Sequence, residues 1–149
     1  MDDIFALLMQ MHRGFAYSTV ILVLIFVVFL IRTMFGFSGE IKLVLKKSTF
    51  FTMLLFHLQA VIGLAMLFFF SPGFKAAIEA GTLMSNEYNR KTFVEHPASM
   101  VIAAILMTIV NKYIKNNDKL ALKITIMAFV AVLLFEYALP WEKLLASLQ

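Results

Sequence analysis

The chain has 149 residues, 62% of them hydrophobic and 15% charged, with a net charge of +4. Soluble domains average about 45–50% apolar and about 25% charged, so the surplus Phe, Leu, Ile, Val and Met belongs against lipid rather than in a core. Cysteine is absent, which excludes disulfides, thiolate metal sites, iron–sulfur clusters and covalent c-type attachment of a haem.

The opening Met1-Asp2-Asp3 is acidic and has neither the basic start nor the small-residue cleavage site of a signal peptide. The mature chain is therefore expected to be the whole sequence. Four hydrophobic segments follow. Phe15 to Ile31 and Ser48 to Phe70 contain no Asp, Glu, Lys or Arg. Pro97 to Val110 is shorter and lengthens if Lys112 snorkels at its end. Ile124 to Trp141 carries one carboxylate, Glu136. A crossing helix needs about 20 residues, with about 17–25 tolerated. With their flanks the segments predict spans over residues 15–34, 48–70, 96–114 and 121–141. The runs are continuously apolar rather than alternating, which argues against strands. The expected fold is all-α: one domain over residues 1–149, a four-transmembrane-helix bundle running up, down, up and down.

The loops orient it. The first carries Arg32, Lys42, Lys46 and Lys47 against Glu40; the third carries Lys112, Lys115, Lys119 and Lys123 against Asp118. The opposite side holds seven of the nine acidic residues. By the positive-inside rule the first and third loops face the cytoplasm and both termini face outward. That reading accounts for the positive charge without nucleic acid. Trp141 beside Pro140 falls at the outer interface, where an indole is favoured. In the second loop, Ser71-Pro72-Gly73 opens a turn, residues 74–81 read as a short amphipathic helix ended by Gly81, and Ser85 or Asn86 is a candidate cap for the third span.

Two histidines, His12 and His96, fall at the outer ends of helices 1 and 3, which are diagonal partners in such a bundle. Ionisable side chains beside a bilayer core are functional-site hypotheses by default. In a cysteine-free helical bundle, paired histidines at matching depth suit the two faces of a haem iron. The alternative is that both are interfacial residues touching headgroups and water. His57 lies about 13 residues below the outer end of helix 2, roughly 20 Å along the axis. It is too deep to share an iron with the other two, and an interhelical hydrogen bond is the expected role.

His96, Met100, Ala103 and Met107 form one stripe on helix 3, where small Ala103 leaves room for a flat ligand and Met100 offers a soft contact. Pro97 cannot donate to the Phe93 carbonyl, so a bend is expected beside His96. Arg13 is a candidate for haem propionates or for lipid headgroups. Glu136 is expected to pair with Arg13 or Arg90, or else to take protons from a quinol. On helix 2, Thr52, Gln59, Gly63 and Met66 share a small, polar face suited to close packing, with His57 nearly opposite. No glycine-rich phosphate loop, HExxH pair, placeable Ser-His-Asp set or di-iron carboxylate set is present.

Met11-His12-Arg13, Phe56-His57-Leu58-Gln59 through Gly63-Leu64, Val94-Glu95-His96 with Met100, and Pro140-Trp141 resemble a family of small four-span membrane proteins of Bacteroidetes labelled cytochrome b-like. The layout is similar to one half of heme A synthase, whose four-helix units hold haem with two histidines on diagonal helices. The resemblance implies His12 and His96 as axial ligands of a haem b, with the Gln59-to-Gly63 stretch as a bundle face. The family has Arg and Trp four and five residues after the first histidine, where this chain has Ala16 and Tyr17, so Arg13 would have to take the arginine's part. The expected function is one-electron transfer with quinol or a redox partner in a bacterial inner membrane. The alternative is a haem-free accessory subunit of a larger membrane complex. A homo-oligomer is compatible with either.

Overall fold

The computed structural model describes residues 2–36, 39–139 and 141. Four long helices dominate. Helix α1 spans Asp2–Met34. Helix α2 spans Leu43–Ala65 and runs on through a π-helical turn, Met66–Phe70. Two short helices follow, α3 (Pro72–Glu79) and α4 (Glu87–Arg90), and a second π turn, Lys91–Glu95, leads into α5 (His96–Asn116). Helix α6 spans Leu122–Ala138.

Three stretches, Asp3–Met34, Leu43–Phe70 and Glu87–Asn116, are long and apolar enough to cross a membrane. Helix α6 has 17 residues, with its charges confined to Lys123 and Glu136 near its ends. The surface fits such a setting. Ile21, Leu24, Val28, Val61, Ile105 and Leu133 all turn outward, whereas Thr19, Ser48, Thr49, Thr52, Gln59, Ser99 and Thr125 are buried. The interior is still mainly apolar, but the wealth of outward aliphatics and of buried hydroxyls departs from a water-soluble bundle, where exposed aliphatics come singly and buried hydroxyls are few. Several of the buried hydroxyls are satisfied locally: Thr19 donates to the Phe15 carbonyl at 2.7 Å, and Thr49 to that of Leu45 at 2.7 Å. Such bonds remove a polar liability while keeping the side chains small enough for close helix approach.

Around the bundle α1 packs on α2, α2 on α5 and α5 on α6, while α1 and α6 meet only briefly. The diagonal pairs meet in the middle. Phe56 of α2 stacks on Phe135 of α6 with ring centres 4.9 Å apart. Ala103, Ala128 and Ala131 are fully buried, so α5 and α6 approach closely, and Phe26, Leu30, Met107, Val110 and Ile114 fill the rest of the core.

The loops obey their local signals. Ser71 caps α3 by accepting from the Phe74 amide at 3.2 Å, and Pro72 takes the first helical position. Gly81, at φ +65°, follows the end of α3 in the left-handed region that glycine tolerates. Asn86 caps α4 through the Asn89 amide at 3.0 Å. At the lysine-rich end the two loops are strapped together. The Ile41 amide donates to the Asp118 carbonyl at 2.8 Å and the Leu120 amide to that of Gly39 at 3.0 Å, an antiparallel bridge of Glu40 with Lys119.

Three boundaries differ from the expected spans, the simplest being α2, which begins at Leu43 rather than at residue 48. Helix α1 begins at Asp2, about four turns before the apolar run, because residues 4–11 are mostly good helix formers. Helix α6 stops at Ala138, short of Trp141, and Leu139 is extended at ψ 131°. A residue preceding proline is pushed out of the helical region, and Leu139 precedes Pro140; Pro140 itself lies outside the described residues.

Candidate functional site: a histidine pair across the bundle

His12 and His96 come together. Their half-buried rings, from diagonal helices α1 and α5, have centres 6.1 Å apart and planes inclined by 71°. Two imidazoles binding one ion from opposite sides, with metal–nitrogen distances of about 2 Å, have ring centres roughly 6 Å apart.

Each ring is held differently. His96 Nδ1 lies 2.7 Å from the Ala138 carbonyl oxygen at the end of α6. A carbonyl only accepts, so the proton sits on Nδ1 and Nε2 keeps its lone pair, the usual arrangement of a ligating imidazole oriented by a backbone acceptor. The preceding residue reinforces this. Glu95 accepts from the Tyr137 hydroxyl at 2.6 Å and from Arg90 Nε at 2.8 Å. Glu95 and His96 thus grip Tyr137 and Ala138, and the ring is tied to two helices. The π turn makes the arrangement possible. Pro97 has no N–H to give, and instead of a plain kink the chain widens over Lys91–Glu95, where the His96 amide bonds back to the Lys91 carbonyl.

His12 is seated on α2. Gln59 Nε2 donates to the His12 backbone carbonyl at 3.0 Å. A Cβ at Gly63, one turn along, would stand 3.4 Å from His12 Cε1, so glycine leaves the space the ring occupies. The strip read from the sequence as a packing face is the surface against α1: Thr52, Gln59 and Met66 are buried, and Thr52 donates to the Leu22 carbonyl at 3.4 Å. Two polar atoms here, His12 Nδ1 and Gln59 Oε1, are buried without a hydrogen-bond partner among the described residues.

Below His96, Met100 is buried and Ala103 and Met107 are fully buried along the same stripe. Arg13 is exposed beside His12 and makes no ion pair among the described residues. The expected bridge from Glu136 to Arg13 or Arg90 is not present among the described residues either. Arg90 is taken by Glu95, and the Glu136 side chain points outward while its backbone carbonyl accepts from Trp141 Nε1 at 3.0 Å. Depth along α6 suggests a partner; direction around the helix decides otherwise.

His57 is remote from the pair. Its Nδ1 donates to the Met53 carbonyl at 2.8 Å, and its Nε2 lies 3.2 Å from the Thr108 hydroxyl of α5. Thr108 follows His96 by about three turns, roughly 18 Å along the helix. Thr108, Tyr137 and the Ala138 carbonyl carry no signal in the sequence. The first two are ordinary span residues, and the third acts through its backbone.

Among the described residues no three or more His, Asp or Glu side chains come together to hold a bare metal ion. No family model, curated protein or solved structure matches the chain.

Proposed function

We propose that the protein is a four-span membrane cytochrome b-like protein holding one haem b between α1 and α5 for one-electron transfer with quinol or a redox partner. The single observation that carries this is the His12–His96 pair at 6.1 Å, on diagonal helices. The donor set fits the group. Two imidazoles alone make a poor site for a naked ion, which takes four or more protein or water donors, but a complete axial set for an iron whose other four positions a macrocycle fills. His96 is already aimed, with Nδ1–H given to Ala138. Met100 and Ala103 would supply soft and small surfaces beside the ring. Arg13, exposed and outside every ion pair of the described residues, would face the propionates. The loose α1–α6 seam is the side of the bundle where the least packing has to give way.

When bound through two imidazoles, such a group supplies a reversible one-electron change at iron, with its potential set by ligand basicity and burial. The chain's own part is to hold the two rings, exclude water with the buried Phe, Met and Leu side chains, and leave each ring a nitrogen to offer. On His96 this is Nε2, since Nδ1 is held by Ala138; on His12, Nδ1 has no partner among the described residues. On this reading α6 is the fourth span, and the membrane is the bacterial cytoplasmic one, with the histidine end outermost.

The test is a visible spectrum of the protein purified from haem-replete cells. Sharp, split bands of a six-coordinate low-spin b-type haem are expected on reduction. A colourless, folded protein would overturn the proposal and favour an accessory subunit. Exposed His57 and Thr108, polar residues on the outer surface of a span, are the feature that fits that rival.

The orientation has its own check. The chain has no cysteine, so single cysteines report cleanly. Lys75→Cys and Glu79→Cys, in exposed positions on α3, are expected to react with an impermeant thiol reagent in intact cells. Asn116→Cys should react only after lysis. The reverse pattern would place the histidine pair at the cytoplasmic face.

A further inference from the structure

At the lysine-rich end a cavity of about 410 Å³ lies between the last turns of α5 and the first turn of α6. Its polar rim includes Lys112, Lys123 and Asn116, and its wall is Ile109, Ile124 and Met127. Among the described residues no carboxylate lines it. Neither lysine makes an ion pair among the described residues, and the acid of this loop, Asp118, is engaged by Lys46 at 3.7 Å. Two cations thus face one concavity with no protein anion to offset them, beside an apolar wall that continues into outward-facing surface at Ile109 and Leu122. Like charges at the edge of a low-dielectric region repel, and an anion placed between them relieves the repulsion.

We propose that this cavity is a binding site for an anionic phospholipid. The phosphodiester would lie between Lys112 and Lys123, Asn116 would donate to a headgroup oxygen, and an acyl chain would follow Ile109 and Met127. Charge and shape select the class. A zwitterionic choline lipid brings a further cation to the lysines. Free phosphate cannot use the apolar wall. The volume falls within the roughly 300–1,000 Å³ of small-molecule sites. A second cavity, about 240 Å³ at the same end of α1 and α2, serves as an internal contrast. It too has two cations, Arg32 and Lys42, but Glu40 lines it and halves its net charge. Basic recesses of this kind at the cytoplasmic level of a bundle are where lipid headgroups are held. The proposal rests on the chain being a membrane protein and is independent of haem.

The experiment is native mass spectrometry of the purified protein in a neutral detergent, with added phosphatidylglycerol or phosphatidylcholine. Wild-type protein is expected to retain one phosphatidylglycerol far better than phosphatidylcholine. In Lys112→Gln/Lys123→Gln the retention should fall about tenfold or more, with helix content unchanged by circular dichroism. Lys112→Glu is the second variant, adding the missing carboxylate, and should do the same. Arg32→Gln/Lys42→Gln should retain the lipid nearly as well as wild type. Equal retention of both lipids, undiminished retention in the Lys112 and Lys123 variants, or displacement by inorganic phosphate at millimolar concentration would each overturn the site.

Discussion

If the histidine pair holds the proposed haem, His96→Ala should abolish its low-spin spectrum while leaving the protein helical. The substitution removes the one imidazole of the pair whose Nδ1 is held by a backbone acceptor, the Ala138 carbonyl. It also leaves the Ala138 carbonyl without that donor, though this carbonyl sits at a helix end where an unpaired acceptor is easily rehydrated. The spectrum should therefore suffer more than the fold. His12→Ala is expected to have the same spectral outcome, for loss of either axial ligand converts a six-coordinate low-spin iron to high spin or releases the haem. His57→Ala is the control. Its loss removes a bond to Thr108, roughly 0.6–2 kcal/mol for an interhelical hydrogen bond in a membrane, and should leave the bands in place. Visible spectra and haem content per protein, read beside circular dichroism, decide the matter. Intact bands in His12→Ala together with their loss in His57→Ala would transfer the ligand role to His57 and overturn the pairing.

Substitution at Gly63 should divide sharply by size. An alanine methyl there would stand 3.4 Å from His12 Cε1, at the near edge of ordinary contact. Gly63→Ala should keep the spectrum, and it should gain some helix stability, since glycine inside a helix costs about 0.5–1 kcal/mol relative to alanine. Gly63→Leu adds three further carbons in the volume the imidazole fills. Cores resist such overpacking by moving the more mobile partner, here a ring on α1 that has no hydrogen bond of its own from Nδ1 among the described residues. The expected result is more than tenfold weaker haem retention with most of the fold preserved. Haem loss in both variants would mean that the α1–α2 separation, rather than the space under the ring, is what Gly63 protects. Retention in both would mean that His12 does not sit on α2 when the haem is bound.

How much of this is legible in the residues differs from feature to feature. The apolar runs announce the long helices, since uncharged, mainly hydrocarbon stretches of about 17–25 residues are what a crossing helix needs. The Gln59–Gly63 strip announces a packing face through its small and polar residues, and that face is where α1 lies. Pro97 announces an irregularity beside His96, although its form, a π turn rather than a kink, depends on how the Lys91–Glu95 backbone redistributes its bonds. The parts that do not show are those carried by direction or by backbone. A linear pattern reports the depth of Glu136 but not its azimuth, which depends on packing. The grip of Glu95 on Tyr137 joins residues on two helices far apart in the chain, and the Ala138 carbonyl has no side-chain signature at all. The start of α1 is hidden because Gln10, His12 and Arg13 separate the short apolar run of residues 4–9 from the longer one that begins at Phe15.

The strap between the two loops at the lysine-rich end has a mechanical consequence. It fastens the α1–α2 hairpin to the α5–α6 hairpin by main-chain bonds at 2.8 and 3.0 Å, while at the far end His12 and His96 belong to different hairpins. The two hairpins are also held along their length by α2 packed on α5, so α1 and α6, which meet only briefly, are the helices least bound to each other. A group bound by both imidazoles would act as a removable crosslink between distant parts of the chain, stabilising the bundle by its own binding free energy. Breathing would be concentrated along the α1–α6 seam, which leaves the strap and the cavity beside it undisturbed.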